Sequence, residues 1–224
     1  MKNGLSKWNS EKKEVLEAAQ QMAEKGFVVG TAGNVSMRLG EHNGRELLAI
    51  TPNGRYYDLL EVDDIVVADF DGETVEGDLK LSIEKLLHIG IYKARKKVTA
   101  IVHTHPVFGS AASVACLEIP AFLDDQVTYL GGEIKVAGYA LPGTPDLVEN
   151  VLSALGPRNA VLLANHGALT VGRDMREAFV NCEMAEKTAK TYVYALSLGK
   201  VNPVPAEAAA VEKAYFNFLH GDTQ

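Results

Sequence analysis

Two histidines close the apolar run Val98–Val102 in VTAIVHTHP, as His103 and His105. Residues i and i+2 of a β-strand share a face, so both imidazoles can turn to one ion while Thr104 faces away. A second apolar run, AVLLANHG from Ala160 to Gly167, ends the same way and delivers His166 at a strand-to-turn boundary. One such histidine alone is more simply a satisfied polar group in a loop. Together the three supply the usual protein share of a catalytic zinc site, which leaves a fourth position for water, substrate or a carboxylate. Imidazole also suits other divalent ions, so ligand type does not choose among Zn2+, Mn2+, Fe2+ and Co2+.

Glu84 is the next residue able to carry chemistry. Four residues before His88, on a helix predicted over Ser82–Arg95, it would share a face with that histidine and enter one cavity with it. The structural alternative is plain: a glutamate in a first helical turn suits the macrodipole, and His88 can be a core residue with a backbone partner. The stretch GTAGNVSMR, Gly30 to Arg38, has the makings of an anion nest of converging backbone N–H groups. It carries neither the Walker lysine pattern nor the dinucleotide fingerprint, and a turn between helix and strand explains it nearly as well.

These groups need elements to position them. A helix opens the chain, with Ser10 as N-cap, Val15, Leu16, Ala19, Met22 and Ala23 as its apolar stripe and Gly26 as its stop. Short strands are expected over Val35–Arg38, Glu46–Thr51 and Ile65–Asp69, with turns at Pro52-Asn53-Gly54 and Asp71-Gly72. The Ser82–Arg95 helix leads into the strand of His103, and an alanine-rich helix follows Pro106. Next come a strand near Ile134–Ala137, a helix over Thr144–Leu155, the strand before His166 and another over Ala168–Val171. Asp174-Met175-Arg176-Glu177 resembles a capping box and opens a long helix to about Leu198, and the tail Pro205–Leu219 reads as an amphipathic helix. Strands interspersed with helices suggest a sheet covered on both faces.

With 224 residues, 47% hydrophobic and 23% charged, the chain suits one well-buried domain over 1–224. The net charge of -7 argues against nucleic acid or an anionic membrane as partner. The basic run Lys93–Lys97 reads as the solvated face of a helix. Cys116 and Cys182, far apart and outside CxxC spacing, read as buried thiols in a reducing compartment. No apolar stretch reaches spanning length and MKNGLSKWNSEKKE is too polar for a secretory signal, so a cytoplasmic location is expected.

In order along the chain, GTAGNVSMR, ITPNGRYYDLL, the Ser-x-Glu-x-x-x-His start at Ser82–His88, IVHTHP, YALPGTPDL and LLANHGAL resemble the class II aldolase and adducin-like family. The resemblance runs from about Glu14 to about Leu198. It implies an α/β fold, a single-domain three-layer α/β/α sandwich with a central mixed, largely antiparallel sheet, and a fourfold homotetramer with active sites at subunit boundaries. It makes His103, His105 and His166 the metal ligands, and Glu84 the carboxylate that coordinates the resting metal or serves as acid/base. Partial burial is expected to tune the Glu84 pKa upward for that task. The implied enzyme is a class II, metal-dependent aldehyde-lyase that reversibly splits a ketose 1-phosphate, such as L-fuculose 1-phosphate, into dihydroxyacetone phosphate and an aldehyde. The metal would stabilise the enediolate charge, with no lysine Schiff base.

Departures from the sugar-phosphate pattern bear on the substrate. The helix start reads Leu81-Ser82-Ile83-Glu84, with Ile83 where the family's phosphate-binding aldolases carry a hydroxyl, and Asn53-Gly54 stands for Thr/Ser-Gly. Gly33, Asn34, Asn53, Gly54 and Ser82 remain to hold a phosphate or a carboxylate, so the partner is a sugar phosphate or a hydroxy acid. A proton donor from the neighbouring subunit is expected among Asp124, Asp125 and Tyr129 of IPAFLDDQVTY and the C-terminal Tyr215. The same scaffold also supports a decarboxylase of a hydroxy-aromatic acid, a sugar-phosphate 4-epimerase, or a non-catalytic adducin-like scaffold. The last has no need of an open metal site.

Overall fold

The computed structural model describes residues 7–221, in which eight strands form one sheet. Residues 1–6 of the polar N-terminal segment, and 222–224 of the expected 1–224 domain, lie outside the described residues. The strands are β1 Asn34–His42, β2 Arg45–Ile50, β3 Val66–Asp69, β4 Thr74–Glu76, β5 Ala100–Thr104, β6 Lys135–Ala137, β7 Ala160–Leu163 and β8 Gly167–Gly172. Their spatial order is β4-β3-β2-β1-β5-β8-β7-β6. All neighbouring pairs are antiparallel except β6 with β7, which gives a mixed, largely antiparallel sheet. The helices are α1 Asn9–Glu24, α2 Lys85–Ala94, α3 Val107–Val114, α4 Asp124–Leu130, α5 Pro145–Leu155, α6 Met175–Ser197 and α7 Ala206–His220.

Strand alternation divides the core between two helical layers. Ile101 of β5 joins Leu87 and Ile91 of α2 and Val151 and Leu155 of α5. Its neighbours Ala100 and Val102 join Val15, Ala19 and Met22 of α1 and Ala178 and Cys182 of α6. The central strand is therefore buried on both faces, and the architecture is a three-layer α/β/α sandwich. Thr144 caps α5 by accepting from the Leu147 N–H at 3.4 Å, and Asp174 caps α6 by accepting from the Glu177 N–H at 2.7 Å. No helix of the described residues is long and apolar enough to cross a membrane.

Several local expectations are corrected. The opening helix begins at Asn9 with Trp8 as its N-cap residue, not Ser10, because Trp8 is anchored against Leu47 and Val67. The helix expected over Ser82–Arg95 spans only Lys85–Ala94, so Lys96 and Lys97 of the basic run lie beyond it. β1 continues past Arg38 to His42 through a register shift between Arg38 and Gly40. β4, α4 and two single-turn 3-10 helices at Tyr57–Leu59 and Val62–Asp64 had no clear local signal. Cys182 is buried, but Cys116 is exposed, since α3 has ended and the chain turns there with φ 51°. The α7 stripe is narrow: Phe216 alone is buried, while Val211, Tyr215 and Phe218 are exposed.

Candidate active site

The alternation of β5 decides where its histidines go. His103 has the parity of Ile101 and lies on the α2 side of the sheet, fully buried, and His105 follows just past the strand end. His166 comes from the turn between β7 and β8, where Asn165 takes the left-handed conformation with φ 56°. A Cβ on the next residue, Gly167, would lie 2.3 Å from the Thr104 carbonyl oxygen and 2.8 Å from Cδ2 of His105. Only glycine lets this turn lean against the end of β5. The three imidazole centroids are 4.9, 4.8 and 4.8 Å apart, and one ligand atom from each falls within 4.8 Å of the others.

Glu84 meets this cluster from α2. It stands at the N-cap position instead of inside the helix, and its N–H donates to Ser82 Oγ at 3.2 Å. Glu84 Oε2 lies 3.2 Å from His103 Nε2, and Oε1 lies 3.7 Å from His166 Nε2. His103 donates Nδ1–H to the Ala168 carbonyl at 2.9 Å, which leaves Nε2 as the lone-pair nitrogen, 3.1 Å from His105 Nε2. Glu84 Oε1 and His166 Nδ1 are buried without a hydrogen-bond partner. Leaving such an atom unsatisfied costs about 1–3 kcal/mol, more when it is charged. Converging imidazole lone pairs beside a carboxylate oxygen with no donor fit a divalent ion of the zinc class.

The electrostatics of two of the three imidazoles agree with that fit. Burial lowers His105 and His166, each reinforced by the neighbouring His103, to about 4, so both are neutral and ligand-competent at pH 7. Burial likewise lowers His103, but Glu84 outweighs it and raises that imidazole. For Glu84, burial pushes the carboxyl up, yet His103, His166 and the Asn34 amide together hold it well below the usual carboxylate range. The upward tuning expected from partial burial is thus overturned by the imidazoles.

Glu84 and His88 do not meet directly on a helix face. Asn34 joins them: its Nδ2 donates to Glu84 Oε2 at 2.8 Å, and its Oδ1 lies 2.5 Å from His88 Nε2. The other His88 nitrogen lies 2.6 Å from Ser36 Oγ, so the expected backbone partner is replaced by two side chains. Ser36 and Tyr92, 2.8 Å apart, were not singled out by sequence reasoning. The alternation in GNVSMR held the signal, since Val35 packs toward α1 and α6 and thereby turns Asn34 and Ser36 to the α2 side.

The remaining candidates divide into two groups. Gly33 has φ 75°, and a Cβ there would lie 2.6 Å from the His103 carbonyl oxygen and 2.7 Å from Val28 Cγ1, so its role here is close backbone approach. Asn53 donates its N–H to the Lys80 carbonyl at 2.8 Å and Pro52 pairs with Leu81, which lays the exposed Asn53-Gly54 turn beside buried Ser82. Tyr129 is elsewhere. Its carbonyl accepts from Asn159 Nδ2 at 3.2 Å just before β7, whereas His166 follows the other end of that strand. Tyr129 and Tyr215 line a separate cavity of about 410 Å3. Asp124 and Asp125 begin α4, with Asp125 ion-paired to Lys187.

Comparison with known proteins places this geometry. The Class II Aldolase and Adducin N-terminal domain family matches residues 13–193. A 5-deoxy-D-ribulose 1-phosphate aldolase of Bacillus thuringiensis serovar kurstaki is 31% identical over 197 residues, 88% of this chain and 91% of the relative. A 3-oxo-tetronate 4-phosphate decarboxylase of Haemophilus influenzae is 33% identical over 190 residues, 82% of this chain and 87% of the relative. The solved structure of an L-fuculose 1-phosphate aldolase superposes with TM-score 0.86 at 32% identity, covering 93% of this chain and 97% of that one. A match of this extent, on a fold that brings three imidazoles and a carboxylate together, makes the chain a lyase of the class II aldolase and adducin family.

Proposed function

We propose that this chain is a metal-dependent aldolase that reversibly cleaves a ketose 1-phosphate into dihydroxyacetone phosphate and an aldehyde. The observation that carries the reading is Glu84, lodged among three imidazoles with Oε1 free of any hydrogen bond. His103, His105 and His166 would hold the ion, Zn2+ or one of Mn2+, Fe2+ and Co2+, with Glu84 as a fourth ligand in the resting state. When bound, it supplies Lewis-acid stabilisation of the negative charge left on the dihydroxyacetone fragment.

The chain's own residues do the rest. Asn53, Gly54 and Ser82 hold the phosphate, while Gly33, by its close backbone approach, and Asn34, by its amide on Glu84, shape the site behind them. In the cleavage direction a base takes the proton of the hydroxyl on the departing carbon, the carbon-carbon bond breaks, and its electron pair stays on the dihydroxyacetone fragment. Glu84, protonated from water, then delivers that proton to the carbon, while the group that took the hydroxyl proton returns it to water; condensation runs the same transfers in reverse. The hydroxyl proton goes to a group of a neighbouring subunit, for which Tyr129 and Asp124 are the candidates, because Tyr129 lies across β7 from the imidazoles of its own chain. That division of labour calls for a symmetric homo-oligomer with sites at its subunit boundaries, which the homotetramer implied by the family resemblance would supply.

The decarboxylase reading is favoured by the Haemophilus influenzae relative and uses the same centre, with carbon dioxide as the leaving group. Metal analysis and product assay separate the two. The expected result is about one divalent ion per chain, most of it lost in His105→Ala, and dihydroxyacetone phosphate released from 5-deoxy-D-ribulose 1-phosphate or L-fuculose 1-phosphate. Release of carbon dioxide from a phosphorylated 3-oxo acid, with no dihydroxyacetone phosphate from either ketose, would replace the first reading with the second.

A further inference from the structure

We propose that Asn34, His88, Ser36 and Tyr92 form a one-directional hydrogen-bond relay that holds Glu84 among the imidazoles, so that His88 is a positioning residue of this site. Its catalytic consequence rests on the aldolase reading; its proton arrangement does not.

The direction follows from what each atom can donate. A carboxylate oxygen offers only lone pairs, so Asn34 must present its amide N–H to Glu84 Oε2, 2.8 Å away. That orientation turns Asn34 Oδ1 to His88 Nε2 at 2.5 Å, and an amide oxygen there requires the imidazole proton on Nε2. Nδ1 of a neutral His88 is then an acceptor, and Ser36 Oγ at 2.6 Å must give it a proton. The Ser36 oxygen in turn accepts from the Tyr92 hydroxyl at 2.8 Å, in preference to that hydroxyl's longer contact of 3.4 Å with the Thr99 carbonyl. Burial, above all, keeps His88 neutral by lowering it to about 3.

Burial also makes the order hard to reverse. Ser36, His88 and Tyr92 are fully buried and Asn34 is 4% exposed, so no bulk water replaces a lost partner. Flipping Asn34 would set its carbonyl oxygen against the carboxylate and its N–H2 against the Nε2 proton. The outer end is clamped as well: Tyr92 stacks on Phe70 with centroids 5.9 Å apart, and the Arg38 guanidinium sits 5.0 Å from the Tyr92 centroid while pairing with Glu46 at 2.8 Å. Glu84 precedes the first turn of α2, where helix geometry does not fix its side chain. Among the described residues, apart from the imidazoles, Asn34 is the side chain that ties the carboxylate down.

Two measurements test the relay. Side-chain nitrogen NMR of the 15N-histidine-labelled protein, with His88 assigned by its loss in His88→Gln, should show a neutral ring protonated on Nε2; a ring protonated on Nδ1 overturns the proposal. In kinetics, His88→Leu removes both hydrogen bonds, whereas His88→Gln keeps an N–H for Asn34 and an oxygen for Ser36. His88→Leu should lower kcat by about 10–100-fold with KM within about three-fold and metal content unchanged, and His88→Gln should recover to within about five-fold of wild type. Equal losses in the two variants would reduce His88 to packing and overturn the positioning role. If His88→Leu fails to fold, or wild type cleaves no ketose phosphate, the tautomer measured by NMR decides the relay; the latter result counts only against the aldolase reading.

Discussion

Oε2 of Glu84 stands 3.2 Å from Nε2 of His103, a fully buried imidazole whose other nitrogen is fixed on the Ala168 carbonyl. The ring cannot turn to escape the carboxylate without losing that backbone bond. Glu84 is therefore set beside a fixed imidazole, where the proposed function has it both coordinate the ion and move a proton.

Replacing the carboxylate separates those two tasks. Glu84→Gln keeps the volume and the three imidazoles, and should lower turnover by about two to four orders of magnitude while metal content falls much less. Metal stoichiometry and steady-state rates on one preparation give the answer. Equal loss of both would make Glu84 chiefly a ligand, and near-normal turnover would remove it from the proton transfers.

The separation of Tyr129 from the imidazoles predicts complementation between subunits. Homo-oligomers of Glu84→Gln and of Tyr129→Phe should each be impaired. Refolded together in equal amounts, they should regain activity, because about a quarter of boundary sites then draw an intact Glu84 and an intact Tyr129 from two different chains. An active monomer, or no recovery in demonstrably mixed oligomers, would contradict the shared site.

Gly33 offers a test of backbone packing under the site. Gly33→Ala puts a Cβ 2.6 Å from the His103 carbonyl oxygen in a residue with φ 75°. The left-handed conformation alone costs about 1–2 kcal/mol and the clash adds to it. Thermal unfolding should shift down by about 4 °C or more at this chain length. An unchanged melting temperature would show that β1 can retreat from β5 without loss.

A pH-dependent contribution sits far from the imidazoles, at Glu177. Burial pushes this carboxyl up, but hydrogen bonds from His220 and Arg173 outweigh it and bring it down to about 2. Since its folded value lies below its ordinary 4.5, the carboxylate's contribution is complete above about 4.5 and is lost as pH falls toward 2. Glu177→Gln should therefore be less stable at neutral pH by about 1.5–3 kcal/mol, the range for hydrogen bonds to a charged group. Urea melts from pH 7 down to pH 3 should show that gap narrowing below about 4.5; a gap constant with pH would rule out the ionised carboxylate as its source.

Sequence periodicity reached the imidazoles because their placement is a local property. The alternation in VTAIVHTHP sets His103 on one face of β5, and β7 runs straight into the turn with His166. The start of α2 was not legible, because Ser82 Oγ takes the Glu84 N–H and the local bond competes with the helix for that group. The partners of His88 were hidden for a different reason. They lie 54 and 52 residues away on β1, and a helical repeat says nothing about which strand it will face. The exposure of Cys116 leaves no trace in a hydrophobic pattern, because it is set by a turn residue with φ 51°.

The bare Cα of Gly167, with the Thr104 carbonyl where its side chain would be, has a consequence for divergence. The spacing between His105 and His166 is gauged by main chain resting on main chain, with no side chain as a shim. Helices on either layer can then exchange their outward residues, and even repack inward ones, without altering the distance at which the two imidazoles face each other. A scaffold whose critical gap is measured by its backbone can drift in much of its helical packing and keep that gap.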